Sequence, residues 1–152
     1  MKKFTIFTIL VISFNAFADL KLSLDKDIDA LMEKVIEWRH DIHQNPELGN
    51  REFRTAKKIE DHLRSLGIKV ETNIAYTGVV GMLEGDLPGP TMALRADMDA
   101  LPMSEEGTPI YKSKNDGKMH ACGHDGHTTM LLGAARYLAE TRNFDGTVNF
   151  IF

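Results

Sequence analysis

The sequence predicts an α/β layer fold, because helical and strand-like segments alternate along its 152 residues. Apolar residues between 28 and 42 recur at steps of three and four, which is the pattern of one helix stripe. Asn45 and Pro46 end this helix. A second stripe from Phe53 to Leu66 predicts another helix, with Gly67 as its left-handed C-terminal cap.

Short apolar segments between these helices and after them predict the strands of one sheet. They cover residues 68–71, 79–83, 91–96 and 147–152. A third helix is expected over about residues 127–141, and residues 102–119, rich in Pro, Gly, Ser, Lys and Asp, predict an irregular loop. Since the last strand has no turn or cap after it, we expect residues 19–152 to be the N-terminal part of a catalytic domain that is incomplete at its C-terminus.

The composition argues against nucleic-acid binding and excludes an internal disulfide. With 18 Lys and Arg against 22 Asp and Glu, the formal net charge is −4, and no basic cluster interrupts the sequence. This charge pattern argues against a nucleic-acid-binding protein. A single cysteine excludes an internal disulfide.

Residues 1–18 have the pattern of a secretory signal peptide. Lys2 and Lys3 precede an apolar run over residues 4–14, and the small residues Ala16 and Ala18 predict cleavage after Ala18. The run is shorter than the roughly 20 residues that cross a bilayer. We therefore expect export to a bacterial periplasm without a stable membrane anchor, and an uncleaved anchor is the alternative.

The densest group of possible metal ligands lies between residues 120 and 127. Cys122 and His124 are two residues apart, so both can reach one ion where the backbone is extended. A thiolate and an imidazole together suit Zn²⁺, with Co²⁺ or Mn²⁺ possible if carboxylates complete the site. Asp125 and His127 lie where the helix begins, and either can bind the ion, or Asp125 can cap the helix or orient a ligand imidazole. The alternative is an inert buried cysteine beside solvated histidines.

A second polar group follows the strand over residues 91–96. Asp97 and Asp99 lie at the predicted carboxyl end of this strand, where open α/β sheets place their binding sites. They can supply an oxygen ligand or orient an imidazole. The alternative is a solvated strand end with aspartates that form a turn.

Histidines elsewhere are predicted to have no chemical role. His40 and His43 lie at the C-terminal end of the first helix, where polar residues usually face water. His62 lies outside every motif, so its replacement is expected to have little effect.

Three segments, taken in order, resemble those of a known enzyme family. They are residues 39–49 (RHDIHQNPELG), 94–102 (LRADMDALP) and 120–127 (HACGHDGH). The chain resembles the aminoacylase/carboxypeptidase family of dinuclear-metal hydrolases, in particular the amidohydrolase branch that includes hippurate hydrolase and N-acyl-amino-acid deacylases. The resemblance extends from about residue 31 to residue 152.

This resemblance implies a zinc-exopeptidase-like catalytic domain, a three-layer fold with a mixed sheet between helices. It implies two divalent metal ions, Zn or Mn and possibly Co, with Cys122 and His124 as ligands. Asp99 matches the catalytic aspartate that orients a ligand. Asp97 replaces the family's ligand histidine, so the role of Asp97 stays open. The resemblance does not decide the roles of Asp125 and His127.

The resemblance also implies a reaction, the metal-dependent hydrolysis of the amide bond of N-acylated amino acids. In this family a glutamate beyond the strand that matches residues 147–152 takes a proton from water activated by the ions. Because that glutamate is expected beyond residue 152, we expect residues 1–152 alone to be inactive. The expected partner is a small N-acyl-amino-acid substrate, and the intact enzyme is expected to be a homodimer. The alternatives are a truncated, non-catalytic relic and an exported metal-binding module.

Overall fold

The computed structural model describes the backbone of residues 2–152 and the side chains of residues 23–152. Its elements are α1 (Lys2–Gln44), α2 (Phe53–Ser65), β1 (Lys69–Ile74), β2 (Gly78–Glu84), β3 (Leu87–Arg95), α3 (His124–Thr141) and β4 (Asp145–Ile151). The chain forms two compact units, residues 1–33 and 34–152, and the second contains the whole sheet. The predicted signal peptide and its cleavage after Ala18 fall where side chains are outside the described residues, so both remain predictions.

The sheet is mixed and has the strand order β1-β2-β4-β3. β2 pairs antiparallel with both β1 and β4, whereas β3 and β4 are parallel, with Leu94 opposite Phe150. The carboxyl ends of β3 and β4 therefore meet at one edge of the sheet. In open α/β sheets this edge is where binding sites form. In the described part of the chain, no helix is long and apolar enough to span a bilayer.

The core lies on one face of the sheet. Alternate residues of β2 and β4 are buried there, as the two-residue period of a strand requires. Leu63 of α2 and Ala135 of α3 are fully buried in the same core, against Leu83 and Phe150. Residues on the opposite face of β2 and β4 are half-buried. The predicted α/β class is confirmed, and residues 34–152 supply two of the three predicted layers.

The helix ends follow from single glycines. Gly67 adopts a φ of 72° after α2, and the N–H of Ile68 donates to the carbonyl of Leu63 at 3.1 Å, so the predicted left-handed cap is confirmed. α3 begins at His124 rather than near residue 127, because Gly123, with a φ of 85°, turns the chain into the helix three residues earlier. This earlier start places both His124 and His127 in the first turn of α3.

The segment between β3 and α3 is irregular, as predicted, but it is anchored at both ends. Backbone hydrogen bonds join Leu101 to Met119 in both directions, at 2.9 and 3.1 Å. The N–H of Ala100 donates to the carbonyl of Glu47 at 2.7 Å. These contacts hold the ends of the loop beside β3 and the segment after α1.

His62 has a packing role that its position outside the motifs did not indicate. Its ring lies edge-on to Trp38, with the ring centroids 4.4 Å apart, and its Nε2 atom is buried without a hydrogen-bond partner in the described residues. Burial lowers the pKa of His62. The neutral imidazole is therefore the form that the folded chain accommodates.

We expect this burial to make folding less stable at acidic pH. In the unfolded chain His62 takes up a proton below its ordinary pKa of about 6.5, whereas the folded chain resists it until the lower, folded pKa. The free energy of unfolding should therefore keep its full value at pH values above the ordinary pKa of His62. It should fall as the pH drops towards the pKa in the folded chain. Urea unfolding at pH 8 and pH 5 measures the loss. His62→Phe, which keeps an aromatic ring against Trp38, should reduce it, and equal losses in both chains would contradict the assignment.

Candidate metal centre

Three side chains converge at the carboxyl edge of β3 and β4. Asp97, two residues after β3, faces His124 and His127 in the first turn of α3, and their donor atoms all lie within 4.8 Å of one another. The positions of these residues in the fold explain why they converge. The parallel pairing continues past β3, with the Ala96 N–H donating to the carbonyl of Ile151 at 2.9 Å. The strand end and the helix start are thereby held against each other.

Asp99 orients His124. The Nδ1 atom of His124 lies 2.9 Å from the Asp99 Oδ1 atom and 3.0 Å from the Asp99 backbone carbonyl. Because a carbonyl only accepts, Nδ1 bears the hydrogen and Nε2 is free to bind a metal. Nε2 faces the centre, 3.6 Å from Asp97 Oδ2. This carboxylate–imidazole arrangement is the one that metal-binding histidines usually show.

Asp97 is held in its charged form. Its Oδ1 atom lies 2.7 Å from Nδ1 of His127, and this hydrogen bond lowers the pKa of Asp97. The hydroxyl of Thr128 donates to the Asp97 backbone carbonyl at 2.9 Å and fixes the strand end against α3. Two imidazoles and a carboxylate suit Zn²⁺, and also Mn²⁺ or Co²⁺. The donor set therefore fits the divalent metal that the sequence predicts.

The structure unites four of the residues singled out in the sequence and leaves Cys122 apart. Asp99 contacts His124, His124 faces Asp97, and Asp97 contacts His127. Cys122 is an exposed free thiol and, in residues 23–152, it does not belong to the group of converging donors. The left-handed turn at Gly123 separates Cys122 from His124. The assignment of Cys122 as a ligand stays a prediction.

The expectation that His43 faces water is wrong. Its side chain is 6% exposed and lies between two carboxylates, with Nδ1 2.8 Å from Asp125 Oδ2 and Nε2 3.3 Å from Glu105 Oε1. His40 is half-buried and stacks on Tyr111, with centroids 4.1 Å apart. The signal was hard to find in the sequence, because the partners of His43 are 62 and 82 residues away.

Asp125 neither caps α3 nor orients a ligand imidazole directly. The N-terminal cap is Gly123, and α3 has no side-chain cap hydrogen bond. Instead the Asp125 carboxylate is fully buried and receives a hydrogen bond from Arg39 Nε at 3.1 Å as well as contacting His43. Its role was left open in the sequence, and the structure assigns it to this buried ion-pair network.

His120 was not selected from the sequence, although it begins the histidine-rich segment. Its side chain is buried, and neither ring nitrogen has a hydrogen-bond partner in the described residues. Burial lowers the pKa of His120, so the ring is neutral at physiological pH. It lies near His43, with ring centroids 6.2 Å apart.

A cleft of about 280 Å³ includes Asp97 of the converging donors in its wall. Asp99, Thr77, Val80 and Arg95 also line it. Its combination of apolar and charged walls suits a small ligand with both an apolar and a polar portion. A substrate bound in this cleft would therefore lie next to the candidate metal ligands.

Part of the chain is similar to a known family of peptidases. Residues 93–152 match the model of peptidase family M20/M25/M40. The chain is 50% identical to the hippurate hydrolase of Campylobacter jejuni over 126 residues, which are 83% of this chain and 32% of that protein. It is 46% identical to thermostable carboxypeptidase 2 of Saccharolobus solfataricus over 136 residues, 88% of this chain and 35% of that one.

A solved structure shows the same fold. The YXEP protein of Bacillus subtilis, described as a dinuclear metal-binding peptidase of the M20 family, is 42% identical with a TM-score of 0.77. The match covers 82% of this chain and 35% of that chain. The chain spans about a third of the length of the curated relatives it matches.

Proposed function

We propose that the chain belongs to peptidase family M20/M25/M40, whose model matches residues 93–152, and that it forms part of a hydrolase that cleaves the amide bond of N-acylated amino acids. The observation that supports this most strongly is the convergence of Asp97, His124 and His127 at the carboxyl edge of β3 and β4. The similarity to a hippurate hydrolase supports the substrate class, since hippurate is an N-acylated glycine.

We propose that divalent ions, Zn or Mn with Co as an alternative, bind at this edge through His124 together with Asp97, His127 or Cys122. When bound, such ions polarise an amide carbonyl and activate water for attack. The chain's own residues prepare the site. Asp99 holds the His124 ring so that Nε2 faces the centre, and Asp97 remains a carboxylate beside it.

We propose further that the intact protein is an exported, periplasmic homodimer. The residue pattern of 1–18 supports export. The family resemblance of residues 31–152 supports dimer formation. It also supports a general-base glutamate beyond residue 152. Size-exclusion chromatography with light scattering measures the dimer, and the mass of the protein recovered from the periplasm measures cleavage after Ala18.

The proposed function is tested by amino-acid release from defined amides. The protein that contains this sequence should release glycine from hippurate, lose that activity in a chelator and regain it with Zn²⁺ or Mn²⁺. A matched dipeptide with a free amino group tests the second candidate, a carboxypeptidase, which the similarity to thermostable carboxypeptidase 2 favours. Cleavage of the dipeptide without cleavage of hippurate would replace the first proposal with the second. Chelator-resistant cleavage of both would contradict a metal-dependent reaction.

The role of Cys122 can be decided by substitution. If its thiolate binds an ion, Cys122→Ser should reduce bound metal and activity together, and added Zn²⁺ should slow alkylation of the thiol in the parent chain. Metal content by mass spectrometry and the rate of iodoacetamide labelling measure the two effects. Cys122 would be a redox thiol instead if labelling is rapid and Zn²⁺ has no effect on it. Unchanged metal content and activity in Cys122→Ser would remove the ligand assignment.

A further inference from the structure

The Asp125 carboxylate is a buried charge in the first turn of α3, between the two histidines of the candidate metal centre. Its side chain is 0% exposed. A buried carboxylate is costly unless it is paired and hydrogen-bonded. A chain that retains one at this position therefore needs the partners that hold it.

Those partners belong to the C-terminal part of α1. Arg39 Nε donates to Asp125 Oδ2 at 3.1 Å, and His43 Nδ1 lies 2.8 Å from the same oxygen. Arg39 and His43 are four residues apart and thus on one side of α1. Two side chains of α1 therefore contact the same carboxylate oxygen of a residue in α3.

The network continues into the irregular loop. His43 Nε2 lies 3.3 Å from Glu105 Oε1, and Glu105 Oε2 accepts a hydrogen bond from the Ser113 backbone N–H at 2.7 Å. Burial alone would raise the pKa of Glu105, but the Ser113 N–H and His43 together lower it. The side chains of His43 and Glu105 are 6% and 4% exposed. A continuous buried connection thus runs from the loop, through α1, to α3.

Helix geometry shows what this connection fixes. At about 100° per residue, His124 and His127 project roughly 60° apart, whereas Asp125 projects away from both. The two histidines face Asp97, and Asp125 faces α1. Any rotation of the first turn that moves Asp125 away from Arg39 and His43 also turns both histidines away from Asp97.

We propose that Asp125 is a positioning residue for the metal centre, acting through Arg39 and His43 to fix the rotation of the first turn of α3. This inference rests on the proposed function, because it assumes that His124 binds a metal. Asp125 makes no cap hydrogen bond, and it does not belong to the group of converging donors in the described residues. Its Oδ2 atom is occupied by Arg39 and His43, whereas its buried Oδ1 atom has no hydrogen-bond partner there.

The test is metal affinity in Asp125→Asn and His43→Gln, measured in the whole protein by competition for Zn²⁺ with a chromophoric chelator. Outer partners of metal ligands typically contribute 10- to 100-fold in affinity. We expect a loss of about that size in Asp125→Asn and a smaller one in His43→Gln. The visible spectrum of the Co²⁺-loaded protein should also change, because it reports ligand geometry, which a purely structural role would leave intact.

Asp41→Asn is the matched control. Asp41 also joins α1 to a neighbouring helix, by accepting from Arg54 of α2 at 2.7 Å, but it does not contact α3. It should lower the urea midpoint slightly and leave the Zn²⁺ affinity and the Co²⁺ spectrum unchanged. His43→Gln retains the pair of Asp125 with Arg39, so it provides the test if Asp125→Asn does not fold.

The outcomes separate this inference from the proposed function. Parental Zn²⁺ affinity and Co²⁺ spectrum in a folded Asp125→Asn, or in His43→Gln, would overturn the positioning role. A parent protein that binds no metal would overturn both the positioning role and the proposed function. If affinities fall as expected but hippurate and the dipeptide are not cleaved, the positioning role stands and the proposed function fails.

Discussion

Replacing His124 with alanine is expected to abolish tight Zn²⁺ binding and, with it, amide hydrolysis. His124 is the donor that Asp99 holds in place, and its Nε2 atom faces Asp97 at 3.6 Å. The loss in affinity should exceed the roughly 10- to 100-fold that outer partners of a ligand contribute. Competition with a chromophoric chelator measures affinity, and glycine release from hippurate measures activity.

Two other histidine-to-alanine variants make this result specific. His40→Ala removes a histidine that stacks on Tyr111 and belongs to no group of converging donors in the described part of the chain, so it should retain both metal and activity. His127→Ala should weaken binding, because His127 belongs to the group. His124→Ala with parental Zn²⁺ affinity would exclude His124 as a ligand, and the candidate centre with it.

Gly146→Ala is expected to have the largest effect on stability. Gly146 has a φ of 86°, and a Cβ atom there would overlap the backbone of Gly89 and Pro90 in the neighbouring strand β3. Backbone strain of this kind costs about 1–3 kcal/mol, and the displacement of β3 adds to it. Against the usual 5–15 kcal/mol of a domain, a loss above about 3 kcal/mol removes much of the stability. Urea unfolding measures it.

Gly67→Ala separates strain from overlap. Gly67 has a similar φ of 72°, but a Cβ atom there would meet nothing within 4 Å. It should therefore show the cost of a left-handed alanine alone, about 1 kcal/mol. Equal losses in the two variants would show that β3 moves freely away from Gly146. A greater loss in Gly146→Ala should also weaken Zn²⁺ binding, because β3 leads directly into Asp97.

The residues that converge at the candidate metal centre could be singled out from the sequence because they lie in two short segments. Asp97 and Asp99 directly follow an apolar strand, and His124 and His127 lie at a helix start, so local patterns sufficed to predict both positions. The left-handed cap at Gly67 was predicted for the same reason. Local periodicity and turn chemistry determine such features.

The buried network was not predictable in this way. His43 lies at the end of a helix, where water is the ordinary neighbour. It is buried because Glu105, Asp125 and the ring of Tyr111 approach it from distant parts of the chain. A helix pattern does not show which loop will cover it. The sequence leaves Asp125 open as a ligand, as a cap or as a residue that orients a ligand imidazole, and it contains no sign that Arg39 donates to its carboxylate.

The pair of hydrogen bonds between Leu101 and Met119 has a consequence for how the chain tolerates change. Closing a flexible segment lowers its conformational entropy, and here that loss occurs when the chain folds. Binding of a ligand therefore does not have to close this segment again. Each doubling of the segment's length would add only about 0.6 kcal/mol to that cost. Insertions between Leu101 and Met119 should therefore change the free energy of folding little where they leave Glu105 and Ser113 in place. The segment between Leu101 and Met119 can thus vary in length between related proteins while the candidate metal ligands stay in place.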